Sequence, residues 1–369
     1  MTNKIDFVLL GTVLILVFFG LIMVYSASAI FSEKAFDNDP FHVFKNQLTW
    51  TILGLSILFI TIFIPTRLFN RFAWVLFGVT VVLLIMVFIP DFGTKILGAK
   101  RWVRIGGIGF QPSELAKLTI IILFAKLFKN PDTVNDLKKS FLPGLGLLIL
   151  ISGLIMFEPD FGTAVEIFLI GIIIMFISGV KWIYLFNIGT VTVPAVVSLI
   201  LFAGYRKERI LAFLNPGSLA TTSGYQIIQS LIAVGSGGLA GLGLGNSVQK
   251  LFFLPQAHSD YIFAIIGEEL GLFGSLLVIG LFLTLLIKGF KIGKKSREPF
   301  SQLIAYGISF HILLQVFLNI GITLGLLPPK GLPLPFFSAG GSSLIITLLE
   351  IGILLRISLE NELGRQYGR

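Results

Sequence analysis

The sequence contains no cysteine and only three histidines, and charged residues make up 13% of its 369 positions. Without cysteine there is no disulfide, no thiolate nucleophile and no thiolate metal centre, and the redox compartment stays open. No Walker, zincin or nucleophile-elbow motif occurs, so ATP-driven work and covalent serine chemistry have no footing. What the chain has instead is hydrocarbon. Hydrophobic residues reach 55%, whereas a soluble domain carries about a quarter charged residues. The composition is that of a protein dissolved in lipid.

Apolar stretches of bilayer length fall near residues 7–30, 47–65, 72–90, 114–128, 141–157, 162–180, 183–204, 261–287, 303–327 and 339–357. The pattern predicts an all-α integral membrane protein with about ten transmembrane helices, a single polytopic domain over 1–369. Residues 205–260 form one long extracytoplasmic loop between spans 7 and 8. The fourth and fifth runs fall short of the roughly 20 residues a straight crossing needs, so their ends are expected to extend into flanking polar residues. Ala27-Ser28-Ala29 resembles a signal-peptidase site. The run before it exceeds the roughly 7–15 residues of a signal h-region, which predicts an uncleaved first helix.

Cations orient the chain. With the N-terminus in the cytoplasm, Lys4, Arg67, Arg71, Lys126, Lys129, Lys138, Lys139, Lys181, Lys288, Lys291, Lys294, Lys295, Arg297, Arg356, Arg365 and Arg369 lie inside, in short loops beside helix ends. Both termini are therefore expected in the cytoplasm, and the net charge of +9 follows from topology rather than from nucleic-acid binding. The outer cations gather around 95–104 and 206–209, with Lys330 alone. An anionic ligand on the outer face would account for cations placed against the bias.

Several residues carry candidate chemistry. Asp260 ends Leu254-Pro255-Gln256-Ala257-His258-Ser259-Asp260 at the lip of the eighth span. A carboxylate there is costly to ionise, so its pKa should rise, which suits a general base; the competing reading is a helix N-cap. If the helix already includes Asp260, then Ala264, Gly267 and Gly271 share its face. His258 reads as a polar loop residue. Glu268 and Glu269, deeper in the span, are either functional or paired structurally with an Arg or Lys. Glu114 and Lys117 stand at i, i+3 spacing and can pair with each other. Lys100, Arg101 and Arg104 with Trp102 read as an interfacial anchor or a phosphate clamp. Glu158 and Asp160 flank Pro159 and offer a divalent-cation site, a partner for the basic cluster, or a solvated turn. The six glycines from Gly235 to Gly245 offer an anion nest. Ile227, Ile228, Leu231 and Ile232 follow a helical period, which predicts a short surface helix. Pro328-Pro329-Lys330-Gly331-Leu332-Pro333-Leu334-Pro335 is a stiff connector that would fix Lys330 in place.

Taken together these motifs resemble the SEDS family of shape, elongation, division and sporulation proteins, over nearly the whole chain. The resemblance rests on Arg101-Trp102, Gln111-Pro112-Ser113-Glu114-Leu115-Ala116-Lys117, Glu158-Pro159-Asp160-Phe161-Gly162-Thr163 and Gly224-Tyr225-Gln226. It continues in His258 to Ala264, Gly267-Glu268-Glu269-Leu270-Gly271, Lys330 to Pro335 and Gly340-Gly341-Ser342-Ser343. Gly245 to Lys250 and Lys330-Gly331 are similar to the FtsW/SpoVE-type branch more than to the RodA type. The resemblance implies a peptidoglycan glycosyltransferase of the bacterial cytoplasmic membrane. It would polymerise lipid II at the outer face for division and septal wall synthesis, with a class B penicillin-binding protein, a transpeptidase, as partner. It implies Asp260 as catalytic base and Arg101, Lys117 and Lys330 around the pyrophosphate. Glu114 would orient Lys117, and Gln226 and His258 are further substrate-binding candidates. A divalent cation (Mg or Mn) is allowed as an aid, with Glu158, Asp160, Glu268 and Glu269 as metal or structural acids. Two other readings stand beside it: a lipid II flippase, and a non-catalytic scaffold for a transpeptidase.

Overall fold

The computed structural model describes residues 5–96, 99–105, 108–202, 204–219 and 223–367. Of the cations counted above, Lys4 and Arg369 lie outside the described residues, as do the side chains of Lys95, Arg206 and Arg365. In lipid a backbone must satisfy its own hydrogen bonds, and the apolar runs do so as helices. These are α1 (Phe7–Ala35), α2 (His42–Ile62), α3 (Thr66–Met86), α4 (Pro112–Phe128), α5 (Leu142–Phe157), α6 (Phe161–Ile177) and α7 (Trp182–Leu201). After them come α8 (Gly204–Leu214), α9 (Ser223–Ser236), α10 (Ile262–Lys295), α11 (Pro299–Thr323) and α12 (Gly341–Tyr367).

The ten expected crossings correspond to α1–α7 and α10–α12. Eight of them are long and apolar enough to span a bilayer, α5 being lengthened by a π-helical turn over Leu137–Phe141. The exceptions are α4 and α6, each 17 residues and so about 25 Å long. The shortness of α4 is tolerated because it sits inside the bundle, whereas α6 is about half buried. Of the 17 residues of α4, 14 are buried, against α3, α6 and α11.

Two features depart from the expected picture. First, the chain is not wholly helical: β1 (Gly93–Ile96), β2 (Ala99–Ile105) and β3 (Ile108–Phe110) form an antiparallel sheet in the order β1-β2-β3. Second, the long stretch after α7 holds α8 and α9, so it is as much helix as loop. The predicted surface helix is part of α9, with Ile227 buried and Leu231 and Ile232 exposed.

The helix α10 is broken at Gly271, whose φ of 65° and ψ of −160° are non-helical. That break frees backbone groups, and the glycine run 237–243 satisfies them. Leu242 and Gly243 donate to the carbonyls of Glu268 and Glu269, while Leu272 and Phe273 donate to those of Gly238 and Leu239. The Gly241 and Gly243 amides are thus consumed in backbone pairing and are not open to an anion.

The bundle has two polar ends. At one, Lys288 of α10 pairs with Asp6 before α1 at 3.1 Å, and Asn361 of α12 donates to Ile292 of α10. The start of α1 and the last turns of α12 therefore lie at that end. The turn carrying Asp260 lies at the other, beside the ends of α1 and α5 and the starts of α4, α6 and α12.

Candidate active site

Asp260 sits in a turn, not in a helix. The helix begins at Ile262 with Tyr261 as its cap, and no side chain caps it. Neither the N-cap reading nor the shared face with Ala264, Gly267 and Gly271 holds, because Asp260 lies two residues outside the helix. The turn is fixed by its backbone instead. Asn319 of α11 donates to the carbonyl of Asp260 at 2.8 Å and to that of Leu332 at 2.6 Å, joining the turn to the proline-rich connector. Ser338 donates to the carbonyl of Ser259 and accepts from the amide of Leu334, and Ala339 donates to the carbonyl of His258. Gln47 of α2 bonds Ser338 and Gly340 from behind. His258 stacks on Phe31 of α1 at 4.7 Å between ring centres. Burial lowers its pKa, so it is a neutral part of the wall.

With its backbone so held, the Asp260 carboxylate makes no hydrogen bond or ion pair among the described residues. Burial pushes its pKa up to about 6, and the charges of Arg209, Arg101 and Lys330 restrain the rise while Asp160 adds to it. The rise expected of an acid at this lip is present.

Lys330 reaches the site through space kept open by glycine. A Cβ at Gly162 would stand 1.3 Å from Lys330 Cε, so the lysine stem runs directly over the start of α6. A Cβ at Gly331 would stand 2.7 Å from Asp260 Oδ2, so the connector lies against the carboxylate. Burial lowers the Lys330 pKa to about 8, against the pull of Glu166 and Asp160. Among the described residues Lys330 has no acid within ion-pair distance.

The β2 strand divides its cations by the two-residue period of a strand. Lys100 and Arg104 are exposed on one face, whereas Arg101 shares the other with buried Val103. Arg101 alone turns to the site: it donates to the carbonyls of Glu158 and Pro159 and approaches Asp160 at 3.9 Å. Asp160 is the cap of α6 and accepts from the amide and hydroxyl of Thr163. Glu158 is buried without a side-chain hydrogen-bond partner among the described residues, and burial with the charge of Asp160 pushes its pKa up to about 9, so it is protonated at neutral pH. No group of three or more His, Asp or Glu among the described residues could hold a metal ion. A divalent cation at Glu158 and Asp160 would take most of its ligands from substrate and water.

Behind Lys330 lies a chain of charges that sequence reasoning found only in part. Lys117 pairs with Glu114 at 2.9 Å, as the spacing suggested, and is wholly buried. It also approaches Glu166 of α6 at 3.7 Å; Glu166 lies 3.8 Å from His311 of α11, which meets Glu350 of α12 at 2.9 Å. Glu166, His311 and Glu350 are each a lone ionisable residue in an apolar run. That is the signal by which they are found, since such residues in lipid are rarely idle.

The other candidates lie apart. Glu269 pairs with Lys250 at 2.7 Å and accepts from Ser26 of α1. Glu268 accepts from the Ser247 hydroxyl and the amides of Val248 and Gln249. Both acids tether the 247–250 segment to α10. Gln226 lies on α9, with no hydrogen bond among the described residues that joins it to the Asp260 turn.

Comparison with known proteins places this geometry. The family described as cell cycle protein, FTSW_RODA_SPOVE, matches residues 7–363. A probable peptidoglycan glycosyltransferase FtsW of Trichlorobacter lovleyi is 40% identical over 365 residues, covering 99% of this chain and 96% of that protein. One from Coxiella burnetii is 43% identical over 348 residues, covering 93% of each. Among solved structures, a chain of a peptidoglycan synthase complex studied for its coordination of polymerisation and crosslinking superposes with a TM-score of 0.80 at 28% identity, covering 97% of this chain and 98% of that one. The rod shape determining protein RodA of Thermus thermophilus superposes with a TM-score of 0.70 at 27% identity, covering 96% and 97%. This chain is a multi-pass membrane protein belonging to the FtsW, RodA and SpoVE family of cell cycle proteins.

Proposed function

We propose that this protein is an FtsW-type peptidoglycan glycosyltransferase that polymerises lipid II into glycan strands on the outer face of the cytoplasmic membrane. The observation that carries the reading is the Asp260 carboxylate. Among the described residues it has no partner, its pKa is raised to about 6, and it is backed by Lys330 and Arg101. A base of that pKa is mostly ionised at neutral pH yet strong enough to share a proton in the transition state.

Asp260 takes the proton of the acceptor sugar 4-hydroxyl as its oxygen attacks the donor anomeric carbon from the face opposite the leaving group. The C1–O bond breaks, configuration inverts, and undecaprenyl pyrophosphate departs with the bonding pair. Arg101 and Lys330 meet the charge growing on that pyrophosphate, where low-dielectric surroundings make fixed cations most effective. Lys117, oriented by Glu114, forms the floor behind Lys330. The end bearing the Asp260 turn faces outward and both termini face the cytoplasm, in accord with the cation count. A class B penicillin-binding protein crosslinks the product, a partnership supported by the likeness to a peptidoglycan synthase complex.

The test is purified lipid II with the protein and its partner transpeptidase, resolved for glycan length, alongside a leaflet-exchange assay with labelled lipid II. Polymer from the wild type supports the proposal. Labelled lipid II crossing between leaflets without polymer would establish transport instead.

A further inference from the structure

The end of the bundle remote from Asp260 holds a cavity of about 470 Å³ that polymerisation does not use. Three segments enclose it: the α2–α3 turn with Pro65, Thr66 and Arg67, the α10–α11 turn with Lys295 to Glu298, and the last turns of α12 from Arg356 to Gly364. Its charges are unequal. Glu360 is already spent, accepting from Arg356 at 2.8 Å and from the Thr66 amide at 3.0 Å. Arg67, Lys295 and Arg297 have no ion pair among the described residues, and only Glu298 opposes them. Three uncommitted cations thus converge on one hollow.

Depth identifies the class of occupant. Arg356 and Gly364 stand 15 and 23 residues beyond Gly341, about 22 and 35 Å along α12 at its ordinary rise. With α12 entering the hydrocarbon at Gly341 and running along the membrane normal, a core of about 30 Å ends at the level of the cavity, among the headgroups. Close to Arg67 in the chain, Phe63 and Leu68 do not line the cavity but present exposed apolar side chains against which acyl tails can lie. Cations at the polar level with an apolar flank below them match an amphiphile with an anionic head.

We propose that this cavity is a binding site for the phosphate of an anionic phospholipid, seated by Arg67, Lys295 and Arg297. It is separate from the glycosyl-transfer site and does not depend on that assignment. Such a site holds a particular lipid, whereas cations scattered along an interface attract the anionic surface in general.

The probe is phosphatidylglycerol, added to the full-length protein in detergent and followed by native mass spectrometry and thermal stability, with phosphatidylcholine and soluble glycerol phosphate in parallel. Wild type should retain phosphatidylglycerol but not phosphatidylcholine. The triple variant Arg67→Gln/Lys295→Gln/Arg297→Gln should lose affinity on the order of 100-fold, at roughly a factor of five per cation. Lys138→Gln/Lys139→Gln, which removes exposed cations at the same end but outside the cavity, should bind as wild type. Arg67→Gln alone should show an intermediate loss, which guards against misfolding of the triple variant. Equal retention by the triple variant, or an equal loss in the Lys138/Lys139 control, would overturn the proposal. Glycerol phosphate binding as tightly as the lipid would reassign the site to a soluble phosphate compound.

Discussion

Replacing Gly162 with alanine tests whether Lys330 acts where the structure puts it. The new Cβ would lie 1.3 Å from Lys330 Cε and 2.2 Å from Cδ and Nζ. Carbon atoms rest at about 3.5–4.0 Å, so the lysine stem must move by some 2 Å or more, and its ammonium leaves the site. A charged hydrogen bond is worth about 1.5–3 kcal/mol. If that contact is made to the leaving pyrophosphate, kcat/KM for lipid II should fall roughly 10- to 150-fold. Lys330→Ala should give a similar loss, because both substitutions remove the same ammonium. The Gly162→Ala/Lys330→Ala double variant should then be no worse than Lys330→Ala alone, within about a factor of two. Gly153, beside which an added Cβ meets nothing within 4 Å, gives the neutral control on substitution to alanine. Initial rates of polymer formation with the partner present supply the numbers, and thermal midpoints confirm folding. Multiplying losses in the double variant would show that Gly162 acts by some route other than Lys330, and would refute the reasoning.

Three further outcomes are expected. Polymerisation should rise with pH through about 6 as Asp260 ionises and fall above about 8 as Lys330 loses its proton; Lys330→Arg, permanently charged, should remove the alkaline limb of the rate profile. Asn319→Leu deprives the buried carbonyls of Asp260 and Leu332 of their donor and should cost about 1–3 kcal/mol in unfolding measurements, with a loss of polymerase activity as the turn slackens. Lys250→Met strands Glu269 in the bundle and should destabilise by about 3–5 kcal/mol, while Lys250→Met/Glu269→Leu should recover much of that in the same thermal assay.

The helical framework was legible because lipid leaves a chain few options: a long apolar run must become a helix. The turn of Asp260 and the stiff connector of Lys330 were legible as segments. Their mutual approach was not, since it depends on Asn319, Ser338 and Gln47, three ordinary polar residues on distant elements. The sheet over residues 93–110 escaped because β1 and β3 have only four and three residues, and in the seven-residue β2 Arg101 interrupts the apolar alternation and Trp102 the polar one. That period then decided which cation matters, by directing Arg101 to the site and Lys100 and Arg104 to solvent. Glu268 and Glu269 allowed a functional or a structural reading, and Lys250 and Ser247 complete the structural one. Glu166, His311 and Glu350 were legible singly, as lone ionisable residues in apolar runs, but their association was not, because they lie on three different helices.

The central claim is that Asp260 removes the acceptor proton. Its most direct test is the initial rate of glycan polymerisation by Asp260→Asn, with purified lipid II and the partner transpeptidase, at a pH above 7. Asparagine keeps the shape of the side chain and cannot accept the proton, and the turn is held through backbone groups that the substitution leaves intact. A rate lower by about 10²–10⁴-fold in a protein of unchanged thermal stability is the expected result. Polymer made at the wild-type rate by the folded variant would contradict it.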